Sequence, residues 1–469
     1  MEERQLEDSG GWVLVYFVHR YLPFRRPEFE SCARAVGWRG PVEWRAPPWL
    51  ANASPEAQAR SPLQLCRAPS LAAAAQCGTR CVLVKAVLQL WGHGEDRAAC
   101  CASVQQTLND AKRCGELAVE EHLSAERSFR LVVDALGTKL TMVQQLERVN
   151  AFAFVPFRGE VSMKHAQTRM WVVECGGASA LPDLADLPAV VLLARQLALG
   201  PRQRLLGKLD LKKRAYLGPT AMDHEMSLIM ANMGCCRRGT LTLDPFAGTG
   251  SVLVAAAECG ATVMGGDMDI RVVRDGKKGK NVFSNFRQYA LPPPCLLRCD
   301  AHAPPWRTGL AEVFDSIVCD PPYGIRAGGR KSGGRKYKQQ PYQIPDDKRA
   351  DHIASTSPYP LGECIADLLD NAARMLRPGG RLVYFLPAAT EAYSDGMLPR
   401  HPALEVVADT PQHLTRSYQR RLVTMQKPDG GEEAPDADAI AAARAKTLRD
   451  LATLEDATAR LLAGEPVVA

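Results

Sequence analysis

From Tyr216 onward, short apolar runs alternate with helical segments, and that rhythm admits few folds. Thr240–Leu243, Thr262–Gly265, Cys295–Cys299 and Phe314–Cys319 have the length of strands. Asp223–Met233, Ser251–Gly260 and Arg271–Tyr289 read as helices before and between them. Strands separated by such crossovers lie parallel, so a doubly wound α/β sheet with helices on both faces follows. Pro360–Leu376 adds an amphipathic helix with Leu361, Ile365, Leu368, Ala372 and Met375 on one side, stopped by Pro378-Gly379-Gly380. Arg381–Leu386, Leu404–Ala408 and Arg421–Gln426 supply the last strands. No long helix separates the final two, which therefore form an antiparallel hairpin. In a sheet of this kind ligands bind beyond the carboxyl ends of the strands, so the residues just past each run carry the functional information.

Past Phe314–Cys319 stands Asp320-Pro321-Pro322-Tyr323. The Asp320 carboxylate and the Pro321 carbonyl can each accept one N–H of an exocyclic amine, Pro322 fixes the backbone, and the Tyr323 ring can stack on the base. Such a layout suits methylation of an amino nitrogen on a nucleobase. Past Thr240–Leu243 stands Asp244-Pro-Phe246-Ala-Gly248-Thr-Gly250, where two glycines let the backbone approach a ligand. No Gly-Lys-Ser/Thr follows, so this is not a phosphate loop, and Leu253 replaces the third glycine of a dinucleotide loop. Asp244 can hold an ammonium group, which S-adenosylmethionine has and NAD lacks. Asp267 suits ribose hydroxyls, Asp269 the cap of the next helix, and Asp300 an adenine amino group. Each aspartate alone could be a helix cap; their order along the strands is what points to a cofactor. His224 and Glu225 read as packing at a helix start rather than as a catalytic pair.

The 469 residues provide for two or three domains, and the net charge of +6 is unevenly spread. Residues 326–349 hold eight basic residues and two aspartates, and 202–214 and 271–287 each hold six basic residues and one acid. Basic runs around one site point to a phosphate-rich partner. The fifteen cysteines include no C-x-x-C pair, and Met1–Asp8 is polar, so reduced buried thiols in a cytoplasmic protein without a metal are expected. In the first half Trp12–Val18, Cys81–Leu90, Phe129–Leu136 and Arg169–Glu174 read as strands, and Arg26–Val36, Asp96–Leu108 and Thr141–Asn150 as helices. The Pro- and Ala-rich stretch 40–70 reads as a surface insertion, Ala189–Ala198 as a helix begun by Pro188, and 200–214 as a basic linker. Beyond Pro428 a Pro/Gly/acid linker leads to a peripheral Ala-rich helix, Ala437–Leu462.

With those motifs in place the chain resembles the class I S-adenosylmethionine-dependent amino-methyltransferases. Tyr216-Leu-Gly-Pro-Thr220, Met222-Asp-His-Glu225 and Asp320-Pro-Pro-Tyr-Gly-Ile-Arg326 are similar to the catalytic subunit of the eukaryotic tRNA guanosine-10 N2-methyltransferases. Phe152–Phe157 and Leu83–Gly94 are similar to that family's N-terminal half. The resemblance implies a seven-stranded methyltransferase sheet over 216–428, preceded by a ferredoxin-like region (1–128) and a THUMP-like RNA-binding module (129–200). Residues 201–215 would be the linker and 429–469 the acidic tail. It further implies tRNA as substrate, a small zinc-binding activator subunit as partner, and Pro219 and Thr220 as part of the segment closing over the cofactor. Arg326, Arg330, Lys331, Arg335 and Lys336 would then touch RNA. By itself the Asp-Pro-Pro-Tyr motif leaves other targets open: a different tRNA guanine, adenine N6, or RNA binding without catalysis.

Overall fold

The computed structural model describes residues 11–177, 181–219, 221–323, 329–333, 345, 355–430 and 435–463. Two compact units divide the chain, residues 1–203 and 204–469.

The first unit is built on one seven-stranded sheet: β1 (Trp12–Phe17), β2 (Glu43–Arg45), β3 (Leu63–Arg67), β4 (Val84–Gly94), β5 (Phe129–Ala135), β6 (Thr168–Cys175) and β7 (Val190–Leu199). Their order is β2-β3-β1-β4-β7-β6-β5. Two expectations fail here. Ala189–Ala198 is not a helix: all but Ala189 of it lies within β7, bonded antiparallel to both β4 and β6. Its first part, Val190–Ala194, is apolar and buried at every position, so it has no period by which strand and helix could be told apart. The stretch 40–70 is no insertion either: it supplies β2 and β3, and β3 pairs with β1 over Trp12↔Arg67 to Tyr16↔Leu63. Leu50, Leu63 and Cys66 are buried there. Residues 202–209, expected as linker, form a helix.

In the second unit a second seven-stranded sheet comprises β8 (Leu241–Asp244), β9 (Thr262–Asp267), β10 (Cys295–Arg298), β11 (Phe314–Cys319), β14 (Leu376–Ala389), β15 (Glu405–His413) and β16 (Tyr418–Gln426). A small hairpin of β12 (Arg330–Ser332) and β13 (Thr356–Pro358) follows β11. The sheet order is β10-β9-β8-β11-β14-β16-β15. Its first five strands run parallel, while β16 is antiparallel to β14 and to β15, so the doubly wound sheet and its terminal hairpin are as expected. Arg271–Tyr289 is not one helix: a turn at Arg271–Asp275 ends at Gly276 with φ +68°, and the helix Val282–Gln288 restarts under an Asn281 cap.

The helix Leu361–Met375 covers one face, burying Leu361, Ile365, Leu368 and Ala372 against β11 and β14 residues such as Ile317 and Leu382. The C-terminal helix Ala437–Leu462 packs onto it and is therefore not peripheral. Leu451 and Leu454 are fully buried in that core, and Arg444 reaches Asp367 and Asp370 at 2.5 Å each. Strand order reverses between β8 and β11, since β9 and β10 extend to one side of β8 and β14 to the other. Beyond the carboxyl ends of those two strands a parallel sheet opens a crevice.

Candidate active site

That crevice is a cavity of about 720 Å³. Asp244, Phe246 and Gly248 line it from the end of β8, Asp320, Pro321 and Tyr323 from the end of β11, and Met222 and Arg420 from further off. The fold thus brings the two motifs to a single space. Pro219, Gly250, Asp267, Asp300 and Pro322 lie outside its lining. Thr220, Arg326, Arg335 and Lys336 lie outside the described residues.

The glycine loop is shaped from both sides. Gly248 and Gly250 have φ of +49° and +81°, in the left-handed region that favours glycine. A Cβ on Gly250 would stand 2.9 Å from Val282 Cγ1, whereas one on Gly248 would meet only the Phe246 carbonyl at 4.0 Å. Gly248 therefore faces open space that a ligand can fill. Asp267, at the end of β9, accepts the Gly248 N–H on Oδ2 and the Asp269 N–H on Oδ1, both at 2.9 Å. It buttresses the loop, while each carboxylate oxygen keeps a lone pair for a ligand hydroxyl. On the opposite side Tyr216 and Asn285 exchange hydrogen bonds at 2.8 Å, and Asn285 also donates to the Thr249 carbonyl at 3.3 Å. The Tyr216–Pro219 segment is so close to the loop that a Cβ on Gly218 would strike Thr249 Cγ2 at 2.8 Å.

Asp244 is 2% exposed. Its carboxylate accepts the Phe246 N–H at 3.0 Å, and burial pushes its carboxyl well above the usual range. A buried carboxyl lining a cavity, with no cation beside it among its hydrogen-bonding and ion-pair partners in the described residues, is suited to a ligand that brings a positive charge and so restores its ionised form. Asp267 is likewise raised by burial. These residues fit S-adenosylmethionine: Asp244 for the ammonium end, the glycine backbone for close approach, Asp267 for hydroxyls. Asp300 is differently placed. It accepts from His302 N at 3.0 Å and from Ser332 N at 2.8 Å. Burial raises its carboxyl, but those hydrogen bonds outweigh it and hold Asp300 below the ordinary value. It ties the β12–β13 hairpin to the end of β10.

At the β11 end the Tyr323 hydroxyl donates to Asp320 Oδ1 at 2.7 Å. Burial, with the Asp320 charge beside it, pushes the phenol well up, so it stays a donor. Arg420 was not singled out from the sequence. Its Nη1 donates to the Tyr323 hydroxyl at 3.2 Å and lies 3.9 Å from Asp320 Oδ2. The adjacent Arg420-Arg421 ahead of the apolar Leu422-Val423 in one strand was the available signal, since two largely buried cations need partners. Of the basic residues expected to meet RNA, Arg330 bonds Thr356 Oγ1 at 2.5 Å and Lys331 pairs with Glu363. Both are engaged in holding the hairpin.

Two family descriptions match the chain: "Tmrp11 THUMP N-terminal domain" over residues 12–202 and "RMKL-like, methyltransferase domain" over 212–343. The tRNA (guanine(10)-N(2))-methyltransferase TRMT11 of Homo sapiens is 32% identical over 428 residues, covering 88% of either chain. The protein of the same name from Dictyostelium discoideum is 34% identical over 430 residues, covering 88% of this chain and 82% of its own.

Proposed function

This chain belongs to the tRNA (guanine(10)-N(2))-methyltransferase family, and on that premise we infer that its cavity transfers a methyl group from S-adenosylmethionine to N2 of guanosine 10 in tRNA. One observation carries the assignment to these residues. Asp244, which suits the donor's ammonium group, and Asp320, which suits the acceptor's amine, line a single cavity at the point where the strand order reverses.

S-adenosylmethionine, when bound, supplies an electrophilic methyl group on a sulfonium centre. What the chain supplies is an acceptor held ready. The lone pair of the guanine amino group is delocalised into its ring and is a poor nucleophile. Hydrogen bonds accepted by Asp320 and by the Pro321 carbonyl favour a more tetrahedral nitrogen. The Asp320 carboxylate also stabilises positive charge that develops there, and a preorganised charge is most effective in a site that excludes water. The Tyr323 ring contributes about 1–3 kcal/mol by stacking on the base. Fixing the base in line converts an encounter into an oriented step. The proton that the methylated nitrogen must lose has its nearest acceptor in an Asp320 oxygen.

The first unit, matched by the THUMP description, serves to grip the tRNA, and the basic run 326–349 adds a second point of attachment. Family resemblance also supports a small zinc-binding activator subunit, to be sought by co-purification and zinc analysis. Fifteen free, largely buried cysteines favour a reducing, cytoplasmic setting. The test is nucleoside mass spectrometry of tRNA after incubation with the chain, activator and labelled S-adenosylmethionine. The expected product is N2-methylguanosine, lost when guanosine 10 is replaced; a label on adenine or on another guanine contradicts the assignment.

A further inference from the structure

Arg420 lies on β16 directly across from Gln412 on β15. Gln412 Oε1 takes two of its donors, Nε at 3.1 Å and Nη2 at 2.7 Å. The guanidinium carbon sits 4.2 Å from the centre of the Phe385 ring, which is fully buried, and Met222 Sδ approaches both terminal nitrogens at about 4.0 Å. Clamped by an amide, a ring face and a thioether, the fork has one orientation. The remaining nitrogen, Nη1, is presented to the Tyr323 hydroxyl and to Asp320.

We propose that Arg420, oriented by Gln412, is a positioning residue that holds the Tyr323 ring and the Asp320 carboxylate in register for the amine; this rests on the methyl-transfer reading above. The argument turns on which lone pairs are taken. The Tyr323 O–H occupies Asp320 Oδ1, one of the atoms that the guanine amino group needs. An amine that approaches Oδ1 along the same lone pair displaces that hydrogen, whereas one that takes another lone pair of the carboxylate leaves it in place. If the phenol had Asp320 as its sole partner, displacement would free the ring. Arg420 Nη1 instead donates to the phenol oxygen, and that bond persists whichever way the hydroxyl hydrogen turns. The ring therefore keeps its place to stack whether or not Asp320 exchanges that O–H for an N–H. The guanidinium stays beside the carboxylate, 3.9 Å from Oδ2, while its hydrogen-bond partner changes. Arg421 next door has no such relation to the site. It closes a bidentate pair with Asp409 at 2.8 and 2.7 Å and lies over Tyr393.

The test compares Arg420→Gln, Arg420→Lys, Tyr323→Phe, the Arg420→Gln/Tyr323→Phe pair, and Arg421→Gln as control. Displacing the acceptor by about an ångström lowers kcat on the order of 100-fold. Arg420→Gln is expected to show that fall, with S-adenosylmethionine affinity and the KM for tRNA within about twofold of the parent. Arg420→Lys should recover part of it, because the charge returns without the fork. The double variant should be no worse than Arg420→Gln alone, since both changes cut one connection. An Arg420→Gln enzyme with kcat within twofold of an active parent overturns the proposal, as does an equal fall in Arg421→Gln. A crystal structure of Arg420→Gln reads positioning without turnover: displacement of Tyr323 from Asp320 supports the role. A ring and carboxylate left in place overturn it, even should the parent methylate nothing and the functional reading fail separately.

Discussion

Asp244 holds the feature of the site most open to titration. Burial favours its protonated form in the ligand-free protein, whereas an ammonium group beside it favours the ionised form. Binding of S-adenosylmethionine should therefore release protons at pH values between the ordinary carboxylate range and the raised one. Calorimetry in buffers of different ionisation heat should show that release, and Asp244→Asn should remove most of it; a binding heat independent of buffer in the parent contradicts the assignment. The sign for stability follows from the same shift. A carboxyl whose folded pKa is raised holds its proton longer in the native state, so its contribution is present below the unfolded pKa and is lost as pH rises through the folded one. Ligand-free protein should lose stability over that interval, and saturating S-adenosylmethionine should flatten the loss. At the other motif, Asp320→Ala should abolish methyl transfer while leaving S-adenosylmethionine and tRNA binding nearly unchanged, as read by calorimetry and filter binding.

At the level of elements, the parts of the site made from contiguous residues were legible in the sequence and the parts made across the sheet were not. Asp244–Gly250 and Asp320–Tyr323 each follow one strand, and their chemistry is local. Arg420 meets Tyr323 across 97 positions and owes its role to a strand inserted antiparallel beside β14. The same contrast separates the helices and strands. The helix Ala437–Leu462 was legible by period, but its burial on Leu361–Met375 was not, since both partners are needed to see the shared core. Leu451→Ala should accordingly destabilise the second unit by about 2–5 kcal/mol in urea denaturation, whereas a loosely attached helix would show almost no change. Gly250→Ala should also destabilise, by about 1–2 kcal/mol for the left-handed backbone with an added term from Val282. Gly239→Ala, at φ +86° with nothing within 4 Å, should show the backbone part alone. Equal losses at the two glycines would mean that the loop yields at Val282.

On the scale of the whole molecule, the proposed function makes charge the means by which RNA is gathered. Neutralising Arg326, Arg335 and Lys336 should weaken tRNA binding and flatten the slope of log K against log salt by about one for each phosphate left without its cation. Neutralising Arg330 and Lys331 should flatten it less, because Thr356 and Glu363 already engage them. On the proposed function the THUMP-matched unit would set which RNA is held, and the cavity which atom reacts. The central claim is that this cavity methylates the 2-amino group of guanosine 10, and the most direct measurement changes that group alone. Single-turnover methyl transfer should be compared on a tRNA carrying guanosine at position 10 and on the same tRNA carrying inosine, which lacks the amine. The account predicts one methyl per tRNA on guanosine and none on inosine, with both RNAs bound alike. Equal transfer to the two would contradict it.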